Sequence, residues 1–267
     1  MPIATVNNIQ VYYEIHGEGE PAVCMGGWGT YCHKDGRGLA RGLTDRYQVL
    51  VFDYRGIAQS RDDLHIPASM KLYAADLIGL LDQLGWQQVH LIGLVGMGCG
   101  VAQEVALSRP ELVRSMVNMG AWSSVDDYLR DQLKLFRTVH REVGFYAFQQ
   151  FVCIYSFLPE FYNQNKHRLL GPDGEWGELR DNYVTHERLV DACLTHDTTN
   201  RLKDITTPTL VIHAAKDMVT SPRITLPIEQ GISGAEGVTM ENTAHVVAGK
   251  AQKIEFCNIL FSFLEKH

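Results

Sequence analysis

Hydrophobic and polar positions change period several times along the chain, and each change marks an element. Ile9, Val11, Tyr13 and Ile15 alternate with polar neighbours, the spacing of a strand with one buried face. The glycines and proline of residues 17–21 end that run as a turn. Residues 22–25 and 47–52 are short and almost wholly apolar, as strands covered on both faces are. The first of these runs ends in Gly26-Gly27-Trp28-Gly29 and the second in Asp53-Tyr54-Arg55-Gly56. Over residues 68–84, Leu72, Leu77, Leu80, Leu81 and Leu84 fall at helical spacing, and Gly85 stops the helix. A strand over 89–93, a helix over 98–108 and a strand over 113–119 follow.

From Trp122 to about Thr195 the pattern turns helical and rich in aromatics, among them Phe136, Phe148, Phe151 and Tyr155. Alternation then resumes, with a strand over 209–213, a weaker one over 237–240 and a closing helix over 250–265. Short buried strands alternating with helices predict an α/β fold, a mostly parallel sheet flanked by helices on both faces. The helical stretch predicts a cap of residues 122–195 inserted into a core of residues 1–121 and 196–267. No internal repeat or low-complexity tract interrupts this order.

Composition narrows the function. The 267 residues are 45% apolar, enough for a packed core. The formal charge is −7, and no window concentrates lysine and arginine, so neither nucleic acid nor an anionic membrane is an expected partner. No apolar run approaches the roughly 20 residues that span a bilayer. The N-terminal residues lack a basic segment followed by an apolar one, so no secretory signal is expected and the cytoplasm is the expected location. Six scattered cysteines form no Cys-x-x-Cys pair; reduced thiols are expected, with no metal, no cofactor and no disulfide framework. The expected partner is a small-molecule substrate, with a homodimer the one assembly considered.

Ligands on such sheets bind where strands end. Three strand ends stand out, Gly26-Gly27-Trp28, Leu94-Val95-Gly96 and the Asp217 loop, together with His245 near the C-terminus. Here the chain resembles the α/β-hydrolase family nearly end to end. Asp53-Tyr54-Arg55-Gly56-Ile57-Ala58-Gln59-Ser60 is similar to the family's D-x-R-G-x-G-x-S turn, with Ala58 at its second glycine. Residues 208–213 with Asp217 resemble the strand and loop that carry the triad acid, and His245 stands where the triad histidine stands. The order elbow, acid, histidine matches the family's. The fold implied is the α/β-hydrolase fold with an inserted helical cap.

The departures bear on mechanism. The family's nucleophile lies in G-x-S-x-G. Counted from the strand, that position is Val95; counted back from the helix, it is Gly96. Neither is Ser, Cys or Asp, so the elbow is degenerate and holds one extra residue. Gly26 also replaces the histidine of the family's His-Gly.

Loss of such a nucleophile costs about 10⁶ in rate in a serine protease. What the resemblance leaves is a catalytic pair. Asp217 would hold His245 in one tautomer, and the imidazole would act as general acid and base. Backbone N–H groups at Met97 and near Gly27 and Trp28 would form an oxyanion hole and substrate pocket. The glycine elbow is expected to leave a space for substrate or water where a serine side chain would stand.

The function expected is cleavage of a small carbonyl compound, aromatic or cyclic in part, by His245 and Asp217 without a serine. The alternatives are a cofactor-free lyase or oxygenase on the same dyad, a non-catalytic pseudo-hydrolase that binds a small molecule or protein, and a covalent hydrolase using Cys99. Cys99 lacks a G-x-C-x-G frame and reads as core filler. Gly96, Gly98 and Gly100 do not match the G-x-G-x-x-G spacing of a dinucleotide loop.

Overall fold

The computed structural model describes residues 2–267. Eight strands form one sheet: β1 (Ile3–Val6), β2 (Ile9–His16), β3 (Glu20–Met25), β4 (Tyr47–Phe52), β5 (Val89–Leu94), β6 (Val113–Met119), β7 (Thr209–Ala214) and β8 (Glu236–Met240). Their order is β1-β2-β4-β3-β5-β6-β7-β8. The pairs β1–β2 and β2–β4 are antiparallel and the rest are parallel. The central strands β3, β5, β6 and β7 are buried nearly throughout, which is why their sequences are continuous apolar runs. The edge β1, four residues long, and the helix α7 (Pro222–Gly231) have no counterpart in the sequence-based expectation.

One face of the sheet packs on α1 (Met70–Leu84) and α2 (Met97–Ser108). The other packs on α8 (Lys250–Leu264) through Phe256, Leu260, Phe263 and Leu264. The Ser69 hydroxyl accepts from Leu72 N–H to start α1, and Gly85 at φ 69° ends it. Helix α2 is buried over most of its length. A Cβ at Gly98 would stand 2.4 Å from the carbonyl oxygen of Met25, so only glycine lets this helix seat against the end of β3.

Between β6 and β7 the chain inserts α3 (Asp127–Glu142), α4 (Phe145–Ser156), α5 (Pro159–Leu169) and α6 (Tyr183–Thr195). Its entry and exit meet. Ser124 bridges Asp197, and Thr198 N–H donates to the Ser123 carbonyl at 2.7 Å. Leu129, Leu133, Phe136, Phe148, Val152 and Leu189 of the insert join the same apolar cluster as α1 and α2. Helix α6 is tied to the loop after β4: Arg188 forks onto Asp62 at 2.6 and 3.3 Å, and Asn182 and Thr185 donate to the Gly56 carbonyl. No helix among the described residues is long and apolar enough to cross a membrane.

Register decides where the strand ends lie. Met25 pairs with Gly93, Gly93 with Asn118, Asn118 with Val211 and Val211 with Gly237. The parallel strands therefore end level, and the loops after β3, β5, β6, β7 and β8 emerge on one edge.

Candidate active site

The loops after β7 and β8 are laced together before they present any side chain. Ala215 N–H donates to Met240 O at 3.1 Å and Lys216 N–H to Thr243 O at 3.0 Å. This fixes Asp217 against His245, whose Nδ1 lies 2.9 Å from Asp217 Oδ2. Asp217 is 4% exposed and fully bonded: it accepts Val219 N–H at 2.7 Å, Thr220 N–H at 2.8 Å and the Thr220 hydroxyl at 2.9 Å. Burial alone would raise its carboxyl. The His245 ring and the two backbone N–H groups outweigh burial and hold it below the ordinary aspartate value. The carboxylate and the Thr220 oxygen, 3.1 Å from Nδ1, keep the ring proton on Nδ1. Nε2 is left as the nitrogen without a protein partner among the described residues.

The elbow resolves the two counts. Val95 (φ 48°) and Gly96 (φ 84°) both adopt left-handed backbone, so the turn absorbs one residue more than a single-residue elbow. Positive φ in a β-branched residue is rare and strained. Gly96 (φ 84°, ψ −88°) caps α2 at the centre of a γ-turn, closed by Met97 N–H donating to Val95 O at 3.2 Å. Two expectations are corrected here. The Met97 N–H, expected to face an oxyanion, is engaged inside the turn. The space expected beside Gly96 is filled: a Cβ there would meet Cζ3 of Trp122 at 2.5 Å and Cη2 at 3.0 Å. The indole stands where a side chain at Gly96 would begin.

A small cavity opens at this edge, offering about 60 Å³ to the centre of a water-sized sphere. The sequence-predicted residues Gly27, Trp28, Val95, Gly96, Met97 and His245 all line it. The insert adds Leu133, Phe136, Val152, Ser156 and Trp176. Trp28 packs between the insert's aromatics, 6.0 Å from Phe136 and 4.9 Å from His186 between ring centroids. Ser156 and Trp122, which the sequence reading did not single out as site residues, are brought in by the chain path. The Ser156 carbonyl accepts the N–H of Val246, next to His245, at 3.0 Å.

Cys99 is fully buried and absent from the cavity wall. Its thiol donates to Met119 O at 3.2 Å, and burial pushes it up to about 12, so it stays protonated. Asp197 accepts Thr199 N–H as a turn residue. His140, His186 and His196 are buried in the fold, and Cys32 is buried beside His33, which pairs with Asp53 at 2.9 Å. Among the described residues no group of three or more His, Cys, Asp or Glu could hold a metal ion.

Comparison with known proteins agrees with the fold. A family model described as the alpha/beta hydrolase fold matches residues 15–249. A protein of Azorhizobium caulinodans named "Putative carbamate hydrolase RutD" is 27% identical, with 98% of each chain covered. A protein of the same name from Stutzerimonas stutzeri is 30% identical, over 78% of this chain and 80% of that one. Among solved structures, an alpha/beta hydrolase enzyme from a Medee basin deep-sea metagenome library superposes with a TM-score of 0.87 at 22% identity, covering 99% of this chain and 97% of that one. The enol-lactonase of Burkholderia xenovorans gives 0.84 at 20% identity, covering 99% and 100%. At these identities the two structures speak to the fold.

Proposed function

The chain belongs to the alpha/beta hydrolase fold family, and on that footing we propose that it hydrolyses a small carbonyl compound of the carbamate type with water as the nucleophile. The observation that carries this is the pairing of an intact His245–Asp217 dyad with an elbow that offers no nucleophilic side chain. Carbamate is the substrate class in the names of the curated relatives.

In this mechanism Nε2 of His245 takes a proton from a water held against the substrate carbonyl. The water oxygen bonds to the carbonyl carbon, whose π electrons move onto oxygen. The tetrahedral intermediate then collapses. The bond to the leaving nitrogen or oxygen breaks, and His245 returns the proton to that atom, so water is the only added reactant. Asp217, held ionised, stabilises the imidazolium between the two transfers. The insert lines one side of the site with Leu133, Phe136, Val152 and Trp176.

The test is turnover of small carbamates and carbamate esters, followed by mass detection, in wild type, His245→Ala and Asp217→Asn. General acid–base catalysis contributes about 10²–10⁴, so both variants should lose roughly that factor. Wild-type rates in His245→Ala would sink the proposal. Ligand binding without product in any variant would favour a binding protein instead.

A further inference from the structure

Two buried polar atoms, carried by residues that line the dyad's cavity, have no partner in the protein. They are the Ser156 hydroxyl oxygen, on a residue with no exposure, and the Trp122 indole nitrogen, on a residue 4% exposed. Buried polar atoms are paired in about nine cases in ten, and an orphan is costly. Ser156 is the last residue of α4, where a hydroxyl commonly bonds back to the carbonyl one turn earlier. It makes no such bond.

Both residues are held rigidly. The Ser156 carbonyl accepts the N–H of Val246, beside His245. Trp122 is wedged against Gly96, and its carbonyl accepts from Gln103 Nε2 at 3.2 Å. Gln103 is itself fixed by the Thr198 hydroxyl at 2.6 Å. The rest of the wall is glycine, aliphatic, methionine or aromatic, and His245 is its one titratable side chain. No lysine, arginine or carboxylate reaches it. A carboxylate entering there would lose its hydration with only His245 able to offset the charge.

We propose that Ser156 and Trp122 are the substrate-recognition donors of this site: the hydroxyl and the indole N–H bind the oxygens of a small uncharged carbonyl compound presented to Nε2 of His245. This rests on the hydrolase reading and deepens it, from a carbonyl substrate to a neutral one recognised by the helical insert together with the loop after β6.

The experiment reads binding, so that it is separable from turnover. The Trp122 indole N–H resonance in a ¹⁵N-labelled sample is identified by its loss in Trp122→Phe, which keeps an aromatic ring in place. Acetamide, methyl carbamate and acetate are titrated at pH 8. Acetamide and methyl carbamate should move the Trp122 signal, acetate should not, and Ser156→Ala should weaken acetamide and methyl carbamate by about tenfold, the loss of one desolvated hydrogen bond. An unmoved Trp122 signal overturns the proposal, as does acetate binding as tightly as acetamide or Ser156→Ala binding within twofold of wild type. Covalent labelling of Ser156 by a fluorophosphonate would also overturn it, because the hydroxyl would then be a nucleophile. If His245→Ala keeps full turnover while the Trp122 signal still moves, the dyad mechanism fails and the recognition pair stands.

Discussion

Gly96→Ser writes a serine into the elbow, and the structure gives the cost of doing so. The position has φ 84°, where a residue with a Cβ is disfavoured by about 1–2 kcal/mol. The new Cβ would stand 2.5 and 3.0 Å from two carbons of Trp122, against an optimum of about 3.5–4.0 Å. Overpacking of that kind costs about 1–3 kcal/mol, because a ring that is 4% exposed has nowhere to go. The sum, about 2–5 kcal/mol, is a large part of an ordinary protein's 5–15. At roughly 2–4 °C per kcal/mol for a chain of this size, Tm should fall by about 4–20 °C.

Calorimetry and denaturant titration of Gly96→Ser, Trp122→Ala and the double variant separate the terms. The double should be more stable than the two losses predict by about 1–3 kcal/mol, the steric part, while the backbone part remains. No ester hydrolysis should appear in Gly96→Ser. A Gly96→Ser protein as stable as wild type, or additive losses in the double variant, would refute the steric account of the elbow.

Val95→Gly should stay within about 1 kcal/mol of wild type in denaturant midpoint, since relief of the strained φ of 48° offsets lost packing, whereas Val117→Gly in β6 should cost about 3 kcal/mol or more; equal losses would remove the claim of strain. Burial lowers His186 to about 3 and His196 to about 4, so at pH 5 only the unfolded chain binds these protons; stability is full above pH about 6.5 and lost below it, by about 2 kcal/mol per histidine at pH 5, and a flat profile of unfolding free energy between pH 7.5 and 5 would contradict their burial as neutral rings.

The central strands were legible because parallel strands covered on both faces are continuous apolar runs. Helix α7 was not, because Pro222 and Pro227 stand in it; Pro222 sits in the first turn, where its missing N–H costs nothing. β1 was too short to establish a period. Asp217 and His245 were read through the family resemblance of the segments that carry them, and the fold brings the two side chains within 2.9 Å. The elbow gave two counts because two consecutive residues share the left-handed turn, which no local spacing reveals. Ser156 lies at the end of a helix of mixed polarity, and only the hydrogen bond from Val246 brings it to the dyad.

The Trp122 ring against Gly96 also bears on history. A serine hydrolase can lose its nucleophile by one codon change and keep its fold. The reverse path from this chain is not one step: serine at Gly96 collides with the indole, and shrinking the indole first removes a buried ring with no catalytic return. Each half of the reversal is a loss until both are made. The tryptophan therefore acts as a ratchet against a serine at Gly96.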